Sequence, residues 1–426
     1  MKFKYLVSSI AVGIGIIAIA TKVSLADTTV QWQEGDNSTS IQKAIDSGDN
    51  TVIIPKTDKP WLVGKRIHAR QPNQKIVFEP GVLILAQEGK FKRRNNSIIM
   101  VEADNVTLSG YGATFQMRKD DYLNPQLYEQ SDFRHNIVIR GAQNFVVEGL
   151  TLKDAGGDGL FVSHGRKVKG QPMPNSTFSS GIIRDIVARD NYRLGLSIMS
   201  AQDLTIENST FKDTTGTKPA SGVDLEPNYE WQRLINIQFK NNKYINNDRN
   251  GIQIGLGKYS GENTQDVSIS FDGCEVMGNH EAGIKINTNK AGVYNGAKGL
   301  ISFRNCEIDG SGENGVHIKS DHINPKETIK INFEDTIVRN TGNNSSEESA
   351  PVTLFNTHQP GMVANIDFGK NFTIYDDYNR PGVLTSNFSR KHGLANIHGT
   401  IKIKNPKKTP SFLSDNLKNV TLEIIE

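Results

Sequence analysis

The sequence predicts an all-β fold: a parallel β-helix, a solenoid of short strands wound into stacked coils. Three observations carry that expectation. A Gly-apolar-variable-apolar motif occurs six times, a second motif ending in Gly, Asn or Asp lies between its copies, and helical periodicity is confined to one short N-terminal stretch.

The chain has 426 residues, 36% hydrophobic and 22% charged, with 39 Gly, 15 Pro and 2 Cys, which argues against disorder, collagen or a multi-span membrane protein. Lys plus Arg number 49 against 46 Asp plus Glu, and Lys2, Lys4 and Lys22 all precede Asp27, so the body is electrically balanced. A balanced body does not fit a nucleic-acid binder held by counterion release.

Residues 1–26 read as a signal peptide: Lys2 and Lys4, an apolar run of 15 residues over 6–20, then small residues ending at Ala26. Fifteen residues fall short of the roughly 20 that span a bilayer. The expectation is a secreted or periplasmic bacterial protein with no membrane insertion after cleavage. Residues 27–426 then form one domain, with an N-terminal cap over 27–60 and the final coils and C-terminal cap over 351–426. Within the first cap, residues 38–47 read as a short capping helix, with Ser38 as N-cap and Ile41, Ala44 and Ile45 on one face.

The first motif runs Gly159-Leu-Phe-Val162, Gly195-Leu-Ser-Ile198, Gly222-Val-Asp-Leu225, Gly251-Ile-Gln-Ile254, Gly283-Ile-Lys-Ile286 and Gly315-Val-His-Ile318, at spacings of 36, 27, 29, 32 and 32. The second ends at Gly149, Asn208, Asn241, Gly273, Asn305 and Asp335, residue types that accept the left-handed backbone of a tight corner. An inward position follows each corner: Leu150, Ser209, Asn242, Cys274, Cys306 and Thr336. Cys274 and Cys306 share the 32-residue offset, so they should stack about 4.8 Å apart, as a disulfide or as two buried thiols.

Side chains alternate along a strand, so Val223 and Leu225 face the core while Asp224 and Glu226 face out. Aligning the register glycines makes two outward columns: Phe161, Ser197, Asp224, Gln253, Lys285, His317, and Ser163, Met199, Glu226, Gly255, Asn287, Lys319. Insertions after the motif, at 163–178, 227–233, 255–265, 287–299 and 319–327, would wall a groove suited to a long polymer.

Asp224 and Glu226 lie at i and i+2, roughly 6.6 to 7 Å apart at Cα, a spacing that fits either retaining or inverting hydrolysis. Tyr229 and Trp231 follow in the same loop and can stack on sugar faces. Lys285 and His317 continue the Asp224 column as catalytic candidates, and Gln253 stands between as a substrate-binding one. Arg134 and His135 could enter the groove from its lower end. Asp158 and Arg193, on neighbouring coils near the corner, form either a structural ion pair or a clamp for a substrate carboxylate.

The Asn/Gly corners, the coil of about 30 residues, and Ile41-Gln-Lys-Ala-Ile45 followed by Thr51-Val-Ile-Ile-Pro55 resemble the right-handed parallel β-helix of the pectin-lyase-like superfamily. The resemblance covers nearly the whole mature chain and implies a right-handed coil. It leaves the reaction open, because that superfamily includes lyases, hydrolases, epimerases and phage tailspikes. Gly157-Asp-Gly159 and Ser163-His-Gly165 resemble polygalacturonase signatures superficially, but both lie within nine residues of one coil, and no catalytic residue is carried over from them. The carboxylate cluster of a pectate-lyase calcium site is not evident either, so no cofactor is expected.

The function that follows is an exported enzyme cleaving glycosidic bonds of a polysaccharide in the groove, through paired carboxylates. A uronate lyase or C5-epimerase using Lys, His and Arg is the alternative chemistry, and a non-catalytic polysaccharide binder or matrix protein the alternative class.

Overall fold

A computed structural model describes residues 27–165, 178–288, 296–322, 324, 328–342, 349–356, 361–378, 380–386, 393–404 and 416–425. The expected signal peptide lies outside the described residues. No described helix is long and apolar enough to cross a membrane.

The chain winds into coils of up to three short strands, each paired in parallel with its counterpart one coil away. Leu234–Lys240 pairs with Val267–Asp272, Lys243–Ile245 with Glu275–Met277, and Ile252–Gly255 with Ala282–Asn287. One face of the solenoid is an 11-stranded parallel sheet running from Ile67–Ala69 to Val383–Ser386. This face, the site sheet, includes Asp158–Ser163, Leu194–Ile198, Ser221–Leu225 and Asn314–Lys319. The first two strands of each coil make the rest of the surface, bent at a corner where Gly149, Asn208, Asn241, Gly273, Asn305 and Asp335 all have φ between 47° and 71°. That left-handed geometry is why only Gly, Asn and Asp fill the position.

The register glycines answer a different demand. A Cβ on Gly195 would stand 2.6 Å from the carbonyl oxygen of Gly222, and one on Gly222 would stand 2.7 Å from that of Gly251. Coils can therefore stack this closely only where the side chain is absent.

Inside, like residues pile up. Phe239, Phe271, Phe303, Phe333 and Phe368 form a continuous stack with centroid spacings of 4.3, 4.8, 5.1 and 5.6 Å, each pair adding about 0.5–1.5 kcal/mol beyond the area it buries. Asn247 and Asn279 form a polar counterpart, the side-chain oxygen of Asn279 accepting from both the backbone N–H and the side-chain amide of Asn247. Cys274 and Cys306 are free thiols, both buried in the ladder behind the corner.

The capping helix spans Ser38–Asp46 and buries Ile41, Ala44 and Ile45. Its N-cap is Asn37 rather than Ser38. The Ser38 hydroxyl is committed elsewhere: it donates to Asp36 Oδ1 at 2.5 Å and accepts the N–H groups of Gly64 and Lys65 at 2.9 and 3.0 Å, tying the cap to the coil below. Coil pairing brackets the helix, with Asp27–Thr29 against residues 51–53 and Thr51–Ile54 against Lys75–Phe78.

Candidate active site

Strand pairing sets the outward columns as the motif alignment requires. Phe161 aligns with Ser197, Ser197 with Asp224, Asp224 with Gln253, Gln253 with Lys285, and Lys285 with His317. A cleft of ≈ 340 Å³ lies over the middle of this stripe, and Arg193, Asp224, Glu226, Tyr229, Phe133 and Lys258 are among its lining.

Facing outward did not leave Asp224 in water. It is only 2% exposed, covered by the residues that line the cleft. Burial, with the Glu226 carboxylate beside it, pushes the Asp224 carboxyl up to about 8 against the pull of Arg193 and a hydrogen bond with the Gln253 side chain. The Gln253 amide oxygen is itself taken by Asn250 Nδ2 at 3.0 Å. The other Asp224 oxygen, Oδ1, is buried with no hydrogen-bond partner. Near neutral pH burial thus favours the protonated carboxyl group, one of whose oxygens is buried and unpaired beneath the cleft. Glu226 contrasts with it: its side chain is 40% exposed, and Lys258 Nζ stands 3.4 Å from its Oε1 and 2.8 Å from Asn228 Oδ1.

Arg193 lines the cleft from below, held by Asp158 through two bonds of 2.7 Å. Asp158 is fully buried, and burial raises it to about 6 even beside this guanidinium. The same carboxylate holds Arg193 above its ordinary value. Asp158 and Arg193 therefore answer each other first.

The loop after Ser221–Leu225 lines the cleft with Tyr229, while the expected Trp231 stands behind it and outside the lining. Tyr229 and Trp231 stack 5.4 Å apart and 9° from parallel, and the Trp231 edge meets the His164 ring at 4.5 Å. His164, half-buried in the cleft, is held below its usual value by burial and by Arg140. Its Nδ1 lies 3.1 Å from Ser163 Oγ and 3.2 Å from Gln232 Nε2.

Four expected site residues lie elsewhere. Arg134 is buried and donates to backbone carbonyls of Phe91, Lys92, Glu129 and Ser131, so it pins the preceding insertion instead of entering the groove. His135 is buried under Phe161, its ring stacked at 4.9 Å. Its Nδ1 accepts the Asp158 N–H at 3.0 Å, so that nitrogen carries no proton, and its 3.4 Å approach to the Asp158 carboxylate is not an ion pair. Lys285 continues the column beyond the cleft lining and pairs with Glu281 at 3.6 Å. His317 lies one coil further, pushed down to about 4 by burial and by Lys285 and Lys319, and is neutral. The sequence reading also missed Phe133, Lys258 and Gln232. Phe133 is the residue of the 130–135 stretch that reaches the cleft, and Lys258 lies three residues past Gly255, the register partner of Glu226, inside the 255–265 insertion whose path no repeat dictates.

No group of three or more His, Cys, Asp or Glu able to hold a metal ion occurs among the described residues.

With this geometry in place, comparison with known proteins fixes the hand of the coil. Residues 130–291 match the family model "Right handed beta helix region". The mannuronan C-5 epimerase AlgE6 A-module of Azotobacter vinelandii superposes with TM-score 0.59 at 15% identity, covering 91% of this chain and 95% of that one. The chain is a right-handed parallel β-helix protein. The polygalacturonase of Erwinia carotovora ssp. carotovora gives TM-score 0.52 at 14% identity over 93% of this chain and 96% of its own. The tailspike of Escherichia coli bacteriophage HK620, solved with a pentasaccharide, gives 0.55 at 12% identity over 88% and 68%. In sequence, YclG of Bacillus subtilis is 26% identical over 178 residues, 39% of this chain and 30% of that relative's length. These likenesses carry the fold, not the reaction.

Proposed function

We propose that this protein is an exported carbohydrate-active enzyme that cleaves glycosidic bonds of a polysaccharide bound over Asp224 and Glu226. One observation carries the reading: two carboxyl groups two residues apart on one strand sit in unlike surroundings, Asp224 buried and pushed up to about 8, Glu226 open to the cleft beside Lys258. Environments that separate neighbouring carboxyls divide the labour of glycoside hydrolysis. Asp224 protonates the leaving glycosidic oxygen, and Glu226 acts on the anomeric carbon directly or through a water molecule. Tyr229, backed by Trp231, offers an aromatic face to a neighbouring sugar. Arg193, balanced by Asp158, fixes the floor. The structural neighbours named for a polygalacturonase and an epimerase, and the tailspike solved with a pentasaccharide, support a glycan as the partner.

His164 favours a second chemistry. It lines the cleft, and burial and Arg140 hold its imidazole below the usual value, so its Nδ1, on exchanging the Gln232 amide for substrate, is the group that would take a proton from a uronate sugar in an elimination or C5-epimerisation. Lys285 and His317 are too far along the column for that role.

The test is incubation of the mature protein with a polysaccharide panel, reading new reducing ends and the absorbance of an unsaturated product. Reducing ends without that absorbance, lost in Asp224→Asn, support hydrolysis. An unsaturated product moves the assignment to His164. Binding with no change to any glycan would leave a non-catalytic binder.

A further inference from the structure

A second cavity of ≈ 340 Å³, lined by Lys119, Tyr122, Gln130, Asp132, Tyr192 and Thr217 among others, lies on the other side of residues 132–133 from the cleft. The insertion before Arg134–Arg140 supplies one wall. Gly156, Tyr192 and Thr217 supply the other from the turns that lead into Asp158–Ser163, Leu194–Ile198 and Ser221–Leu225. The cavity therefore flanks the starts of the site-sheet strands, whereas the Tyr229 loop follows their ends. Asp132 and Phe133 divide the two spaces and share Arg193. Phe133 lines the cleft with the guanidinium 4.9 Å from its ring centroid, and Asp132 lines the cavity with Oδ2 3.7 Å from Arg193 Nη1.

The cavity has the makings of a sugar pocket. Tyr122 and Tyr192 give it apolar walls, while Lys119, Gln130, Asp132 and Thr217 bring donors and acceptors to match a ring of hydroxyls. Both rings depend on absent side chains: a Cβ on Gly156 would collide with Tyr122, and one on Gly216 with Tyr192. Its volume falls within the range of small-ligand pockets.

We propose that this cavity is a second saccharide subsite, and that a bound glycan crosses the strands from Tyr229 over Asp224 and Phe133 into it, instead of lying only along the solenoid axis. The proposal rests on the cleft being a glycan site, but its test does not need turnover. Titration calorimetry on the Asp224→Asn protein would use cello-, xylo- and galacturono-oligosaccharides graded from disaccharide to octasaccharide. In the series that binds, affinity rises by about tenfold at the length that reaches past Phe133. Leu123→Trp, which narrows the cavity from an exposed position, removes that increment and leaves the shorter oligomers and the thermal transition unchanged. Affinity that levels off once the cleft is filled, or an increment that survives Leu123→Trp, overturns the subsite. So does failure of every series to bind. An increment lost in Leu123→Trp while the unmodified protein cleaves nothing supports the subsite and rejects the cleaving role instead.

Discussion

Asp224 and Lys285 occupy the same outward column two coils apart, yet only one of them is enclosed. Over Asp224, Phe133 arrives from an earlier insertion and the 227–233 loop closes the far side, so a carboxyl group is shut into a cleft with its proton. Lys285 has the same direction and the same strand position, but it is satisfied by Glu281 on its own coil. The column decides where a side chain points; the insertions decide what it can do.

The sharpest way to break this comparison is to remove the acid at its enclosed end. Asp224→Asn should lower kcat by about 100- to 10,000-fold on the glycan that the panel identifies, as loss of a positioned acid does. Loss of less than about tenfold would remove Asp224 from the chemistry.

The floor beneath the cleft gives the next largest effect. Asp158→Ala strands the buried Arg193 guanidinium, and removing one partner of a buried ion pair costs about 3–5 kcal/mol, read as a lower thermal transition. A transition within a degree or so of the unmodified protein would show that Asp132 or water neutralises Arg193 unaided.

A smaller effect separates Asp224 from an exposed acid without any substrate. Its folded value of about 8 lies above the ordinary 3.8. Between those values the folded state holds a proton that the unfolded state has lost, so stability falls as pH rises across the window and the loss is complete above it. Asp224→Asn should therefore unfold at a higher temperature than the unmodified protein at pH 8, with the gap shrinking toward pH 4. An equal gap at both pH values would contradict the burial argument.

The smallest effect belongs to the open end of the column. Lys285→Met and His317→Gln should each change kcat/KM by less than about threefold, the scale of a substitution away from the site, because neither side chain lines the cleft. A loss comparable to that of Asp224→Asn would place the working groups further along the groove.

What the sequence showed and what it hid divide along the same line. The corner residues and the register glycines were legible because each coil repeats one steric demand, a left-handed turn or a neighbouring carbonyl, and only certain residues meet it. Strand alternation likewise placed Asp224, Glu226 and their column neighbours. Burial of Asp224 was not legible, because it comes from Phe133 and from loop residues whose paths no repeat dictates. Phe133 reaches the cleft in place of Arg134 for a related reason: the charged residue went to backbone carbonyls and the apolar one to the cleft, an outcome of how the insertion folds back. Ser38 was misjudged as a cap because its hydroxyl serves a contact 26 residues away.

The central claim is that the fold holds a proton on Asp224 near neutral pH. Carbon-13 NMR of aspartate-labelled protein, with the resonance assigned by its disappearance in Asp224→Asn, follows that carboxyl directly. A titration midpoint of about 8 is expected. A midpoint in the ordinary carboxylate range, near about 4, would mean that Asp224 is ionised under working conditions and cannot be the acid.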